Sequence, residues 1–164
     1  LLLPVNMRSK PVTIRPLPAD PVYHHPLVTR LTNRVMLSGK KTVAQKQIYA
    51  MMDLVKSQVG GDPLPHLIQA IENISPQMEI KARRIGGAAY QIPSPVRPDR
   101  RTSLAIRWLV AAAKAHPNTQ THSFAAKLAA EVLSAAGNTG AAIKKKLDTH
   151  RMAEANKAFA HFAW

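Results

Sequence analysis

The chain has 164 residues, enough for one domain, and 46% of them are hydrophobic, enough for a core. Twenty-three Lys and Arg against nine Asp and Glu leave a net charge of +14, which calls for a polyanionic partner, nucleic acid first and an anionic membrane second. With no cysteine there is no disulfide framework and no thiolate zinc site, and no apolar run approaches the roughly 20 residues of a membrane helix, so no membrane partner is expected.

Residues 1–25 read as an extended N-terminal arm. Six of the thirteen prolines lie in 1–26, and each fixes a backbone angle and removes a donor. Arg8, Lys10 and Arg15 make the arm mildly basic. It reads equally as a segment that orders on RNA and as a disordered tail. Residues 26–164 read as a single helical domain. Pro26 suits a first helical position, and Leu27, Leu31 and Val35 follow at helical spacing, with Arg30 and Arg34 on another face. Ser38-Gly39 ends this helix and Lys40-Lys41 opens the next, whose stripe is Ala44, Ile48, Met51, Met52, Val55 and Val59. Gly60-Gly61 stops it. Asp62 caps a third helix with Pro63 at its first position, and Leu64, Leu67, Ile68, Ile71 and Ile74 form its buried face.

After Ser75-Pro76 the period changes to two. Ile80 and Ala82 point one way, and Glu79, Lys81 and Arg83 the other. Gly86-Gly87 supplies a tight turn, and Tyr90 and Ile92 mark the returning strand; these three residues, Gly86, Gly87 and Tyr90, are assigned to the ribbon tip. Pro93 and Pro95 suit an edge, which both strands of a two-stranded ribbon are. The ribbon, at about 78–96, reads either as a basic probe for a phosphate-lined groove or as an ordinary surface hairpin. Asp99 is placed as the cap of a fourth helix from Arg100, with Leu104, Ala105, Trp108, Leu109 and Ala112 inward and Arg100, Arg107 and Lys114 on one exposed stripe. A polar loop over 116–123 precedes a fifth helix through Phe124, Leu128, Val132 and Ala135. Residues 139–162 read as one long basic sixth helix, with Met152, Ala155, Phe159 and Phe162 on one side and Lys146, His150, Lys157 and His161 on another. The fold class is mainly α: a six-helix bundle-like domain with a protruding β-ribbon between the third and fourth helices.

Catalysis needs converging groups, and the acids are read as caps or as members of exposed faces, with no paired couple among them. No cofactor and no metal site are expected, and the chain is not read as an enzyme. The bases group instead. Arg30, Arg34, Lys40, Lys41 and Lys46 form one cluster; Lys81, Arg83, Arg84, Arg97, Arg100 and Arg101 a second; Lys144, Lys145, Lys146, Arg151 and Lys157 a third. All of these except Lys46 and Lys157, together with Arg107, are assigned to RNA contact, against the plain alternative that each is a solvated helix face. RNA is favoured over DNA because no helix-turn-helix, zinc finger or basic zipper is legible. A DNA-compacting architectural protein outside the ribosome is the competing reading, and an RNA hydrolase using His150 and His161 a weaker one.

The segment RRIGGAAYQIPSPVRPDRRTSLAIRW (83–108) resembles small-subunit ribosomal protein seven in its bacterial and organellar form. ADPVYHHPLVTRLTNRVMLSGKKTVAQKQIY (19–49), AIENISPQMEIKARR (70–84) and KKKLDTHRMAEANKAFAHFAW (144–164) agree with it, in order. The resemblance implies six helices with an extended ribbon and a primary binder of small-subunit rRNA at a junction in the 3′ (head) domain, nucleating head assembly. It implies rRNA contact through the arm, the Lys40-Lys41 corner, the ribbon base and Arg100-Arg101. It also implies a ribbon near the mRNA, the exit-site tRNA and small-subunit protein eleven, with other head proteins as neighbours. Residues 1–20 are less basic than the family's arm, and the 115–122 loop is longer and lacks its bases. The unusual arm and a first residue of Leu rather than Met lead us to expect a processed mitochondrial protein, with a bacterial or plastid ribosome as the alternative.

Overall fold

A computed structural model describes residues 16–118 and 121–162, apart from the side chain of Ile85; the arm upstream of residue 16 and Trp164 lie outside the described residues. Among the described residues six α-helices, one antiparallel hairpin and a closing 3₁₀ helix follow one another, with the hairpin between the third and fourth helices as expected.

The entry to the body is tied down by Asp20, which is buried. Its carboxylate accepts from the amides of Val22 and Tyr23 and from the Tyr49 hydroxyl. Helix α1 (Pro26–Val35) starts with His25 as its cap, Nδ1 accepting from the Leu27 amide, and Pro26 at N1. It buries Val28, Leu31 and Val35, and it ends at Val35, before the expected Ser38-Gly39. Helix α2 (Lys41–Val59) stops where Gly60 turns left-handed. Helix α3 (Pro63–Ile74) is capped by Asp62 as the sequence predicts. Strands β1 (Met78–Ile85) and β2 (Ala88–Pro95) pair from Met78 opposite Pro95 to Ile85 opposite Ala88. Gly86 and Gly87, both at positive φ, make the two-residue turn.

Helix α4 (Pro98–Ala115) begins before the expected Arg100. Pro98 presets the first helical angle, Arg97 occupies the cap position, and Asp99 falls in the first turn rather than at the cap. Helix α5 (Phe124–Ala136) is capped by the Ser123 hydroxyl. The long sixth helix divides. Helix α6 (Ala141–Ala155) ends at Asn156, whose side chain takes the Met152 carbonyl, and a tighter 3₁₀ turn, η1 (Lys157–Phe162), follows. Ala153, not the exposed Met152, is the buried residue of that stretch.

The core gathers around α5, which packs against α2, α3, α4 and α6. Its Ala125, Ala129 and Ala135 let neighbouring backbones approach, while Leu128 and Val132 fill the space between them. Its two charged residues, Lys127 and Glu131, are buried, and Glu131 thereby departs from the reading of the acids as caps or members of exposed faces. Lys127 donates to the His116 carbonyl (2.6 Å) and to Asn118 Oδ1. Glu131, 1% exposed, accepts from the Ala142 amide (2.8 Å) and meets His116 Nε2 (3.0 Å). Glu131 thus supplies, from another helix, the cap that the N-terminus of α6 lacks in its own sequence.

The ribbon is seated at its base. The Gln77 amide donates to His150 Nε2 on α6 (3.1 Å), the Val96 amide donates to the Gln77 carbonyl, and Ile92 is buried. Tyr90 is half-buried against Phe159 and Phe162, with ring centroids 5.3 and 6.0 Å away. Tyr90 pairs with Arg83, two pairs from the turn, so it braces the tip half of the ribbon on η1 rather than standing free in water.

Gly140 has φ +98° and ψ 171°, a region only glycine occupies readily, and an added Cβ would meet Glu131 Oε1 at 2.9 Å. Gly140→Ala should cost about 1–3 kcal/mol in urea unfolding; an unchanged midpoint contradicts the placement of Glu131. Burial, and after it the Lys146 ammonium, hold the His150 pKa below the ordinary 6.5. A depressed histidine pKa means that the stabilising contribution of His150 is complete above the unfolded value and is lost as pH falls through the folded one. The Gln77 amide resonance should follow the His150 titration on acidification and become insensitive to it in His150→Phe.

Candidate nucleic-acid interface

The structure brings the first basic cluster and the α4 stripe together. Arg30 and Arg34 on α1 line a groove with Asp99, Ser103 and Ile106 of α4, closed at one side by Leu17. Arg34 also borders the next hollow along, opposite Arg107 and Lys114. Lys114 in turn shares a third, more apolar hollow with Lys40, Val43 and Phe124. One continuous band of cations therefore follows the α1–α4 seam. Lys41 and Lys46 stand exposed at the start of α2 beside it. Lys114, noted in the sequence only as part of a stripe, connects two of these hollows.

On the ribbon, Lys81, Arg83 and Arg84 are exposed, with Gly86-Gly87 beyond them at the tip. At its foot Arg97 is exposed, but the two arginines that follow are fastened. Arg100 Nε donates to Glu79 Oε2 (2.6 Å). Arg101, half-buried, donates its Nε to the Val96 carbonyl (3.0 Å). Glu79 corrects the strand pattern: placed on the exposed side by alternation, it is only 7% exposed, because the start of β1 lies against the body. Its second oxygen meets Lys81 Nζ at 3.2 Å. Burial pushes the Glu79 carboxyl upward, but hydrogen bonds from Arg100 and Lys81 outweigh it and hold the pKa below the ordinary 4.5.

On α6, Lys144, Lys145 and Arg151 are exposed, as a phosphate contact requires. Lys146 differs. It is half-buried and donates to the Asn73 carbonyl (2.6 Å), one of the last carbonyls of α3, where the helix dipole favours a cation. His150 likewise faces the ribbon base rather than solvent alone. No alternation or helical period signals these ties, since each partner lies far away in sequence.

His150 and His161, the residues behind the hydrolase reading, each have a backbone neighbour, the Gln77 amide and the Ala158 carbonyl. Among the described residues no group of three or more His, Cys, Asp or Glu could hold a metal ion, and no helix is long and apolar enough to cross a membrane.

Residues 7–157 match the family described as ribosomal protein S7p/S5e. The chain is 52% identical over 157 residues to the small ribosomal subunit protein uS7 of Caldicellulosiruptor saccharolyticus, covering 96% of this chain and 99% of the relative. It is 52% identical over 158 residues to the protein of the same name from Thermotoga neapolitana, covering 96% and 100%. To that of Ligilactobacillus salivarius it is 49% identical over 157 residues, covering 96% and 99%. These relatives are ribosomal proteins and not enzymes, in keeping with the sequence reading. All three are bacterial, so the expected mitochondrial setting finds no support among them. With its helices, its hairpin and nearly its whole length accounted for, the chain belongs to the ribosomal protein S7p/S5e family.

Proposed function

We propose that this chain is a structural constituent of a bacterial-type small ribosomal subunit. It binds the 3′ (head) domain of the subunit's rRNA and seeds the folding of that domain around itself. The observation that carries this reading is the match, over almost the full length of both partners, to small ribosomal subunit proteins at about half identity. The distribution of cations supports it. The α1–α4 band, the ribbon with its foot, and α6 each present exposed Lys or Arg, and a folded RNA junction offers phosphates from several directions. In this reading the ribbon tip extends toward the mRNA and exit-site tRNA, beside small-subunit protein eleven, and residues 1–25 serve as an arm laid on RNA from the helical domain 26–164. No cofactor is required.

Filter binding to a transcript of the 3′ domain, repeated over a range of salt, tests the proposal. Affinity should fall steeply with salt, by close to one unit of log–log slope per phosphate neutralised. Arg34→Ala with Arg107→Ala should weaken binding and reduce that slope by about 1–2, with the circular dichroism unchanged because both side chains are exposed. A flat salt slope, or duplex DNA competing as well as the transcript, contradicts it.

A further inference from the structure

Glu79 is the only acid in either strand of the ribbon, and it is buried among the cations of the ribbon and its foot. An acid placed there opposes polyanion binding by simple Coulomb repulsion, so its presence needs another reason. Its two oxygens serve two different elements. Oε1 takes Lys81 Nζ of β1 at 3.2 Å, and Oε2 takes Arg100 Nε of α4 at 2.6 Å. Both cationic side chains remain about half exposed, 54% for Lys81 and 52% for Arg100. Arg100 is held through Nε, so its terminal nitrogens are left for another partner. Arg101 is held the same way, Nε to the Val96 carbonyl. A guanidinium fork that is already oriented loses less freedom on meeting a phosphate than a mobile one.

We propose that Glu79 is a positioning residue for RNA binding: its buried carboxylate sets Lys81 of the ribbon and Arg100 of α4 at a fixed separation, with their remaining N–H donors presented to phosphate oxygens. The inference rests on the function proposed above and deepens it. Electrostatics and positioning then predict opposite signs for one substitution. Glu79→Gln removes a negative charge from an RNA-facing cluster, which by charge alone tightens binding. If Glu79 positions its two cations, the same change weakens binding.

The experiment measures affinity for the 3′-domain transcript in the full chain, with circular dichroism and thermal unfolding run on every variant. Glu79→Gln should bind roughly three- to tenfold more weakly at an unchanged salt slope. The same change should have almost no effect in a background already carrying Arg100→Ala and Lys81→Ala, which a merely structural role would not produce. Glu79→Asp keeps the charge but is one methylene too short to reach both partners. It should also weaken binding, and it decides the matter if Glu79→Gln fails to fold. A folded Glu79 variant that binds as tightly as the parent, or more tightly, overturns the inference while leaving the proposed function standing. A parent chain that does not retain the transcript overturns both.

Discussion

The architecture depends on the burial of one helix on nearly all sides. Helix α5 is alanine-rich, so other helices can approach its backbone closely, and it is the element that α2, α3 and α4 share. Such a helix can keep a charged residue only if every polar atom finds a partner, because an unpaired buried charge costs far more than one packing contact contributes. Lys127 and Glu131 meet that condition at one residue. Lys127 takes the His116 carbonyl and Glu131 faces the His116 ring, so the exit of α4, the middle of α5 and the start of α6 are bound together.

With the interior committed to apolar and alanine packing, the excess positive charge is displaced to the outside. It divides into two kinds. Arg30, Arg34, Lys40 and Arg107 project along the α1–α4 seam as long exposed side chains. Lys81, Arg100, Arg101 and Lys146 have protein partners; Lys81 pairs within β1, while Arg100 ties β1 to α4, Arg101 the ribbon's end to α4, and Lys146 α3 to α6. The second kind carries charge and also fixes the relative placement of ribbon and body. The aromatic brace of Tyr90 on Phe159 and Phe162 adds to this, and a two-stranded ribbon, marginal by itself, keeps a defined direction.

Most of the local structure was legible because its signals are local. Asp62-Pro63, Gly60 and Gly86-Gly87 act within a few residues of themselves, and the structure places each where the sequence does. What escaped was long-range. Alternation assigned Glu79 to solvent because period two cannot report that the foot of a strand rests on a helix. Lys127 and Glu131, one turn apart in an alanine-rich segment, carry no local sign of burial, because their partners lie on other segments. The division of the last helix turns on Asn156, which helical periodicity alone does not weigh. For the candidate interface, residue types and clusters were visible, but not that α1 and α4 adjoin and join the first cluster to the α4 stripe.

In the proposed function, cations on separate faces of a small helical body hold one folded RNA from more than one direction. The chain has no cysteine, so single cysteines can be introduced singly and tagged with an iron chelate that cleaves nearby RNA. Placing the tag at Ala89 on the ribbon, Ala111 beside the α1–α4 band and Leu147 on α6, all exposed, reports what each face touches in a complex with the 3′-domain transcript. A grip from several directions gives cleavage from all three positions, at distinct rRNA helices that meet at one junction. Cleavage from a single face, with the other two silent in an intact complex, contradicts it.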